Sequence, residues 1–459
     1  MAELVTKYQQ YAEYKDSGVE WLEEIPKGWE LSKLRYMFSF GRGLTITKAN
    51  LIDNGIPCVN YGEVHSKYGF EVDPKKNYLK CVDKEYLQSS PYALLTKGDL
   101  VFADTSEDIE GSGNFTQLIT DDLVFAGYHT VIARPFDRKC SRFYAYLMDS
   151  KEIRTQIRHM VKGVKVFSIT QSILKGVEIW LPSLDERETI ANFLDHETAQ
   201  IDTLIEKQQT LIQLLKEKRQ AVISHAVTKG LNPDAPMKES GVEWLGGVPE
   251  HWEVSKLGYV SRVVRGGSPR PAGDPLLFNG SYSPWVTVAE ITKDNKIYLQ
   301  ETATCLTKKG SDQCRIFKTG TLVLSNSGAT LGVPKILSID ANANDGVVGF
   351  EDLRLDSEYV YFYLSTLTIN LRERIKQGSG QPNLNTDIVK DLAVPIPPSK
   401  EIEDIVNNIK YLCNKYDETI AIAQDAIQLM QERRTALISA AVTGKIDVRG
   451  WRAADNKAS

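Results

Sequence analysis

"SGVEWLEEIPKGWELSKL" fills residues 17–34, and "SGVEWLGGVPEHWEVSKL" fills residues 240–257. A phrase spelled twice in one chain calls for one structure built twice. The pairing holds residue by residue: Lys15 answers to Lys238, Trp21 to Trp244 and Trp29 to Trp252, all at one constant spacing. A second anchor follows. "LPSLDERETIANFLD" from Leu181 matches "IPPSKEIEDIVNNI" from Ile396, and "IQLLKEKRQAVISHAVTKG" from Ile212 matches "IQLMQERRTALISAAVTGK" from Ile427. Fainter echoes lie between: "CVNYGEVH" from Cys58 with "WVTVAEIT" from Trp285, "GDLVFADTS" from Gly98 with "GTLVLSNSG" from Gly320, and "GVKVFSIT" from Gly163 with "GSGQPNLN" from Gly378. Scaffold positions match while the rest has drifted, as in two domains of one fold with divergent surfaces.

After each middle region a Pro-containing stretch leads into a long helical pattern. Ser183 followed by Glu186 has the form of a capping box. Apolar residues then recur at three- and four-residue steps. They are Ile190, Leu194, Ile201, Ile205, Ile212, Leu215, Val222 and Ala226 in the first copy. In the second they are Ile405, Ile409, Tyr416, Ile420, Ile427, Met430, Leu437 and Ala441. This near-heptad spacing predicts helices wound about one another, as an antiparallel pair. Glu197, Gln208, Arg219 and Arg434 interrupt the seam. At about 1.5 Å per residue the first helix spans roughly 68 Å. The middle regions alternate short β-type runs ("GDLVFA", "HTVIARP", "GTLVLS") with turns and a few helices. The fold class is therefore α/β (α+β): two similar domains alternating with two long coiled-coil helices around a pseudo-twofold repeat. The expected boundaries are 1–182 for the N-terminal segment and first domain, 183–236 for the first spacer helix and linker, 237–398 for the second domain, and 399–459 for the second spacer helix and tail.

Hydrophobic residues make up 42% and charged residues 25%, as in a soluble globular protein. No apolar run long enough for a membrane helix and no signal-peptide core are present. Six cysteines without CxxC pairs fit a reducing cytoplasm and argue against a structural zinc site. The formal net charge is −5. The acidity sits mainly on the helical stretches, while basic clusters ("VSRVVRGGSPRP", "KEIRTQIRHMVKGVK", "NLRERIKQGSG") lie between them. Catalytic signatures are missing: no GxxxxGK[ST] phosphate loop, no Asn/Asp-Pro-Pro-aromatic tetrad and no HExxH. His129, in "GYHTVIARP", reads as a packed strand histidine.

The duplicated phrase and the helix stretches resemble the specificity subunit of type I restriction–modification enzymes, over almost the whole chain and twice in the same order. The resemblance implies two target recognition domains, each reading one half of a bipartite asymmetric site in double-stranded DNA. The helices would act as a ruler and dock two modification (methyltransferase) subunits. It implies a non-catalytic chain. S-adenosylmethionine, ATP and Mg would belong to partners, namely the modification subunits and the restriction/translocase subunits. Base reading needs donors and acceptors on exposed loops. The candidates are Arg42, Thr45, Lys48, Lys165 and Ser168 in the first copy. In the second they are Arg265, Ser268, Arg270, Ser325, Asn326, Ser327, Gln381, Asn383 and Asn385. The four repeated tryptophans are too symmetric to read different sequences and suit structural joints. The rival reading is a duplicated coiled-coil adaptor between proteins, without DNA specificity.

Overall fold

The duplication recurs strand by strand. The computed structural model describes residues 8–19, 21–161, 166–328, 330–373 and 384–452. The chain divides into two compact units, Met1–Gln208 with Asp425–Ser459, and Gln209–Gln424.

In the first unit a five-stranded sheet has the order Phe38–Arg42, Thr130–Pro135, Leu100–Ala103, Phe115–Leu118, Glu71–Val72. In the second, the order is Arg262–Arg265, Val347–Glu351, Leu322–Ser325, Pro334–Leu337, Tyr298–Leu299. Each position corresponds to its counterpart, and in both sheets the last pair is parallel while the other three are antiparallel. The middle strands Leu100–Ala103 and Leu322–Ser325 are buried throughout, which is why they read as continuous apolar runs rather than alternating ones. A smaller sheet accompanies each large one, containing Ile56–Val59 in the first unit and Ser283–Val286 in the second. The two copies of the opening phrase also end alike. Glu30–Lys33 pairs with Glu178–Leu181, and Glu253–Lys256 pairs with Ala393–Ile396.

Two helices of 46 and 44 residues, Leu184–Lys229 and Ser399–Val442, contribute to both units. Within the first unit, Phe193 and His196 meet Trp451, which follows the second helix, while Asp202 further along accepts from Arg434 at 3.1 Å. Within the second unit, Arg219 lies 3.3 Å from Asp417, and Gly230 just beyond the first helix lies against Glu401 at the start of the second. In each unit, therefore, the pair runs antiparallel. Two of the charged residues that interrupt the heptad are thus partnered across the pair.

Seam burial is uneven. In the first unit Ile190, Leu194 and Ile201 are buried, whereas Ile427 and Met430 are half-buried. In the second unit Ile405 and Ile409 are buried, whereas Ile212, Leu215 and Tyr416 are half-buried. The buried ones also face a sheet domain: Ile190 and Leu194 join the cluster of Phe143 and Tyr146, and Ile405 and Ile409 join that of Tyr359 and Tyr363. Of the half-buried ones, Met430 packs against the first of these clusters.

Two of the four repeated tryptophans, Trp29 and Trp252, are joints. Trp29 is buried, and its indole N–H donates to Glu186 in the first turn of the first long helix (3.2 Å). Trp252, also buried, donates to the equivalent Glu401 in the first turn of the second (3.1 Å). This corrects the capping-box expectation. Ser183 accepts from the Glu186 N–H at 3.4 Å, but the Glu186 carboxylate serves Trp29 and the Tyr11 hydroxyl (2.5 Å) instead of closing the box. Each helix ends at a glycine in the left-handed region, Gly230 (φ 77°) and Gly444 (φ 73°), as a helix stop requires.

Candidate nucleic-acid interface

At one corner of each large sheet, five chain segments meet through a shared backbone lattice. In the first unit the Asp104 N–H donates to the His129 carbonyl (3.1 Å), and the Ile169 N–H donates to that of Asp104 (2.8 Å). Gly43 donates to Thr130 (3.1 Å), Leu44 to Ala126 (2.8 Å) and Gly127 to Val59 (2.7 Å). In the second unit Asn326 donates to Gly346 (2.9 Å), Leu384 to Asn326 (2.7 Å) and Gly266 to Val347 (2.9 Å). Gly267 donates to Ala343 and Asn344 to Val286, both at 2.9 Å. The five bonds recur position for position. Both copies keep a glycine where strand ends meet. A Cβ on Gly43 would collide with the carbonyls of Gly127 and Ala126, and one on Gly266 with those of Asn344 and Ala343.

The side chains on this common frame differ. In the first unit the corner carries Arg42, whose guanidinium lies 5.9 Å from the Tyr92 ring centre, together with exposed Thr45 and Ser168. Ser168 pairs with Thr105 in a short two-stranded ladder. Lys48 is exposed at the start of a one-turn helix, Lys48–Asn50, beyond the corner. In the second unit Arg265 is exposed and donates from Nε to the Asp345 carbonyl (2.6 Å), while the Ser268 hydroxyl donates to the Asp345 carboxylate (2.8 Å). Arg270 is exposed, with its backbone N–H held by Gln313 (2.9 Å). Ser327 is half-buried beside Gly346.

The expectation of exposure fails at two positions. Ser325 is fully buried, its hydroxyl donating to the Thr330 carbonyl and accepting from the Val333 N–H, both at 2.9 Å. Asn326 is fully buried too, and its side chain has no hydrogen-bond partner among the described residues. The buried strand Leu322–Ser325 runs straight into this segment, so its polar residues stay inside. Asn385 is exposed, but its side chain caps the helix Thr386–Asp391 by accepting from the Ile388 N–H (2.8 Å); Thr170 does the same for Gln171–Gly176 in the first unit (3.2 Å). Lys165, Gln381 and Asn383 lie outside the described residues.

Sequence reasoning missed the first unit's aromatic cluster. His129 is exposed rather than packed, with φ 55°. Its Nδ1 lies 3.2 Å from the Asp104 carboxylate, and the rings of Tyr61 and Tyr128 stand edge-on to it at 5.4 and 6.0 Å. Burial raises the Tyr128 pKa above its ordinary value, which keeps the phenol neutral. Next to this cluster opens a cleft of about 700 Å³ lined by Tyr61, His65, Thr105, Asp108 and Asn114 among others. The signal was available: Tyr128 and His129 precede their strand just as Asp345 and Gly346 precede theirs. Among the described residues no group of three His, Cys, Asp or Glu could hold a metal ion, and no helix is long and apolar enough to cross a membrane.

Residues 26–214 and 249–428 match the family described as the type I restriction modification DNA specificity domain, one match per copy of the repeat. The chain is 22% identical to the putative type I restriction enzyme MjaX specificity subunit of Methanocaldococcus jannaschii, covering 95% of this chain and 98% of that one. It is also 22% identical to the EcoKI specificity subunit of Escherichia coli, over 94% of this chain and 91% of that one. Among solved structures, a chain from work on complex assembly and conformational transition of the type I R-M system superposes with a TM-score of 0.69. Identity there is 15%, with 92% of this chain and 99% of that one covered. The crystal structure of the HsdS subunit from Thermoanaerobacter tengcongensis gives 0.51 at 15% identity, covering 92% and 98%.

Proposed function

Because the chain belongs to the type I restriction modification DNA specificity family, we propose that it is the sequence-reading subunit of a modification–restriction complex, with one half of a bipartite, asymmetric DNA site assigned to each unit. The observation that carries this reading is the repeated corner: five backbone hydrogen bonds conserved between the copies, with chemically different side chains on top. A shared frame gives both units one docking geometry. Different donors and acceptors then select different bases in the major groove. The bets are Arg42, Thr45 and Ser168 with the His129 cluster in the first unit, and Arg265, Ser268, Arg270 and Ser327 in the second.

The long helices separate the half-sites and dock modification subunits, two per chain in keeping with the repeat. Exposed apolar residues on them, Leu204, Leu211 and Leu214 on the first and Ile422 and Leu429 on the second, suit helix-to-helix docking. The chain itself is non-catalytic in this reading. S-adenosylmethionine belongs to the modification subunits, and ATP with Mg to the restriction/translocase subunits. The complex works on DNA in the cytoplasm, with partners supplying much of the phosphate contact that a chain of net charge −5 lacks.

The reading is tested by measuring binding of the chain, with its modification subunits, to duplexes drawn from the host genome across a salt series. A specificity subunit gives sequence-selective binding whose logarithm falls linearly with log salt. A protein–protein adaptor gives neither selectivity nor a salt slope.

A further inference from the structure

We infer that His129 is a base-reading residue of the first unit, with Asp104 as its positioning residue; the inference rests on the DNA-reading role proposed above. The backbone makes the first argument. His129 holds φ 55°, a conformation that side-chain-bearing residues rarely adopt. The matching position, found by the hydrogen bonds from Asp104 to His129 and from Asn326 to Gly346, carries glycine in the second unit and does not adopt the left-handed conformation there. The fold therefore asks for no imidazole there. Backbone strain kept at an exposed position points to use.

Geometry makes the second. The His129 side chain is 58% exposed, so it fills no core. Its Nδ1 lies 3.2 Å from the Asp104 carboxylate, which can only accept. In the neutral imidazole that contact places the proton on Nδ1 and leaves the Nε2 lone pair free, without a protein partner among the described hydrogen bonds. Asp104 is itself held on both sides, its N–H by the His129 carbonyl and its carbonyl by the Ile169 N–H. Tyr61 and Tyr128 stand edge-on to the imidazole and limit its rotation. A fixed acceptor on an exposed corner fits a base that offers a donor in the major groove: the exocyclic amine of adenine or cytosine. In the second unit Asn326 and Gly346 provide no such group, so the preference belongs to one half-site.

The experiment is selection from a randomised duplex library by the full chain with its modification subunits, read by sequencing, for wild type, His129→Gly and Asp104→Asn. Wild type should select a base presenting an exocyclic amine at one position of one half-site. His129→Gly should lose discrimination at that position by about five- to tenfold, the low end for a good base contact. It should keep the other half-site and melt at the same temperature or higher, since glycine tolerates the backbone. Asp104→Asn can also donate to Nδ1, which frees the tautomer; the preferred base at the same position should weaken or change. Unaltered preferences in His129→Gly, an equal loss for all sequences, or a marked drop in its melting temperature would each overturn the inference. A wild-type chain that selects no motif sinks the DNA-reading role itself, and the inference with it.

Discussion

Lys335 is 1% exposed, and its ammonium lies 2.5 Å from the Asp294 carboxylate. The contact with Lys335 holds the Asp294 carboxyl below its usual pKa. A lowered carboxylate pKa means that the unfolded chain takes up protons first as the pH falls. The pair's contribution is thus full above the ordinary carboxylate range, near pH 4, and is lost as pH falls below it towards the folded value. Asp294→Ala should destabilise the chain by about 1–2 kcal/mol at pH 7, because it takes the carboxylate from a buried ammonium that keeps only the backbone carbonyl of residue 294 (2.9 Å). In urea unfolding, the gap from wild type should close below about pH 4; a gap that persists unchanged into acid would contradict this account. At this scale sequence reading was weakest. Whether Ser325 and Asn326 face solvent depends on how far a strand continues, and "SNS" shows only polarity. His129 was misread because the turn that exposes it is set by Asp104, twenty-five positions earlier in the chain.

The long helices were legible because their apolar spacing runs uninterrupted by Pro or Gly for more than forty residues. Seam strength was less so. Ile409, buried against the second unit's core, should cost about 2–4 kcal/mol as Ile409→Ala. Leu429, 65% exposed, should change stability by less than about 0.5 kcal/mol as Leu429→Ala. Equal effects in urea unfolding would contradict the packing described. The helix ends follow the same logic. Gly444 combines φ 73° with a Cβ position that would strike Pro26 and approach Trp29 to 3.2 Å. Gly444→Ala should therefore destabilise by more than about 1 kcal/mol, whereas a helix-interior glycine would gain from the same change. The joints between tryptophans and helix starts were half legible. Their symmetry marked them as structural, but Glu186 looked like a capping partner because its true partner, Trp29, lies far back in the chain.

For the whole molecule, two matched anchors in one chain were enough to give the repeat, and the repeat gave the architecture. The corner was not legible in the sequence, because its drifted loops share backbone hydrogen bonds rather than residues. One consequence is separability. Arg265→Ala, at the second unit's corner, should alter recognition in one half-site and leave the other untouched; equal loss in both halves would contradict independent reading. The most direct test of the central claim is a genome-wide map of methylated bases in the source strain, with and without this gene. The account predicts that deletion removes one split, asymmetric motif. A map unchanged by deletion, in cells shown to express the chain with its modification subunits, would contradict it.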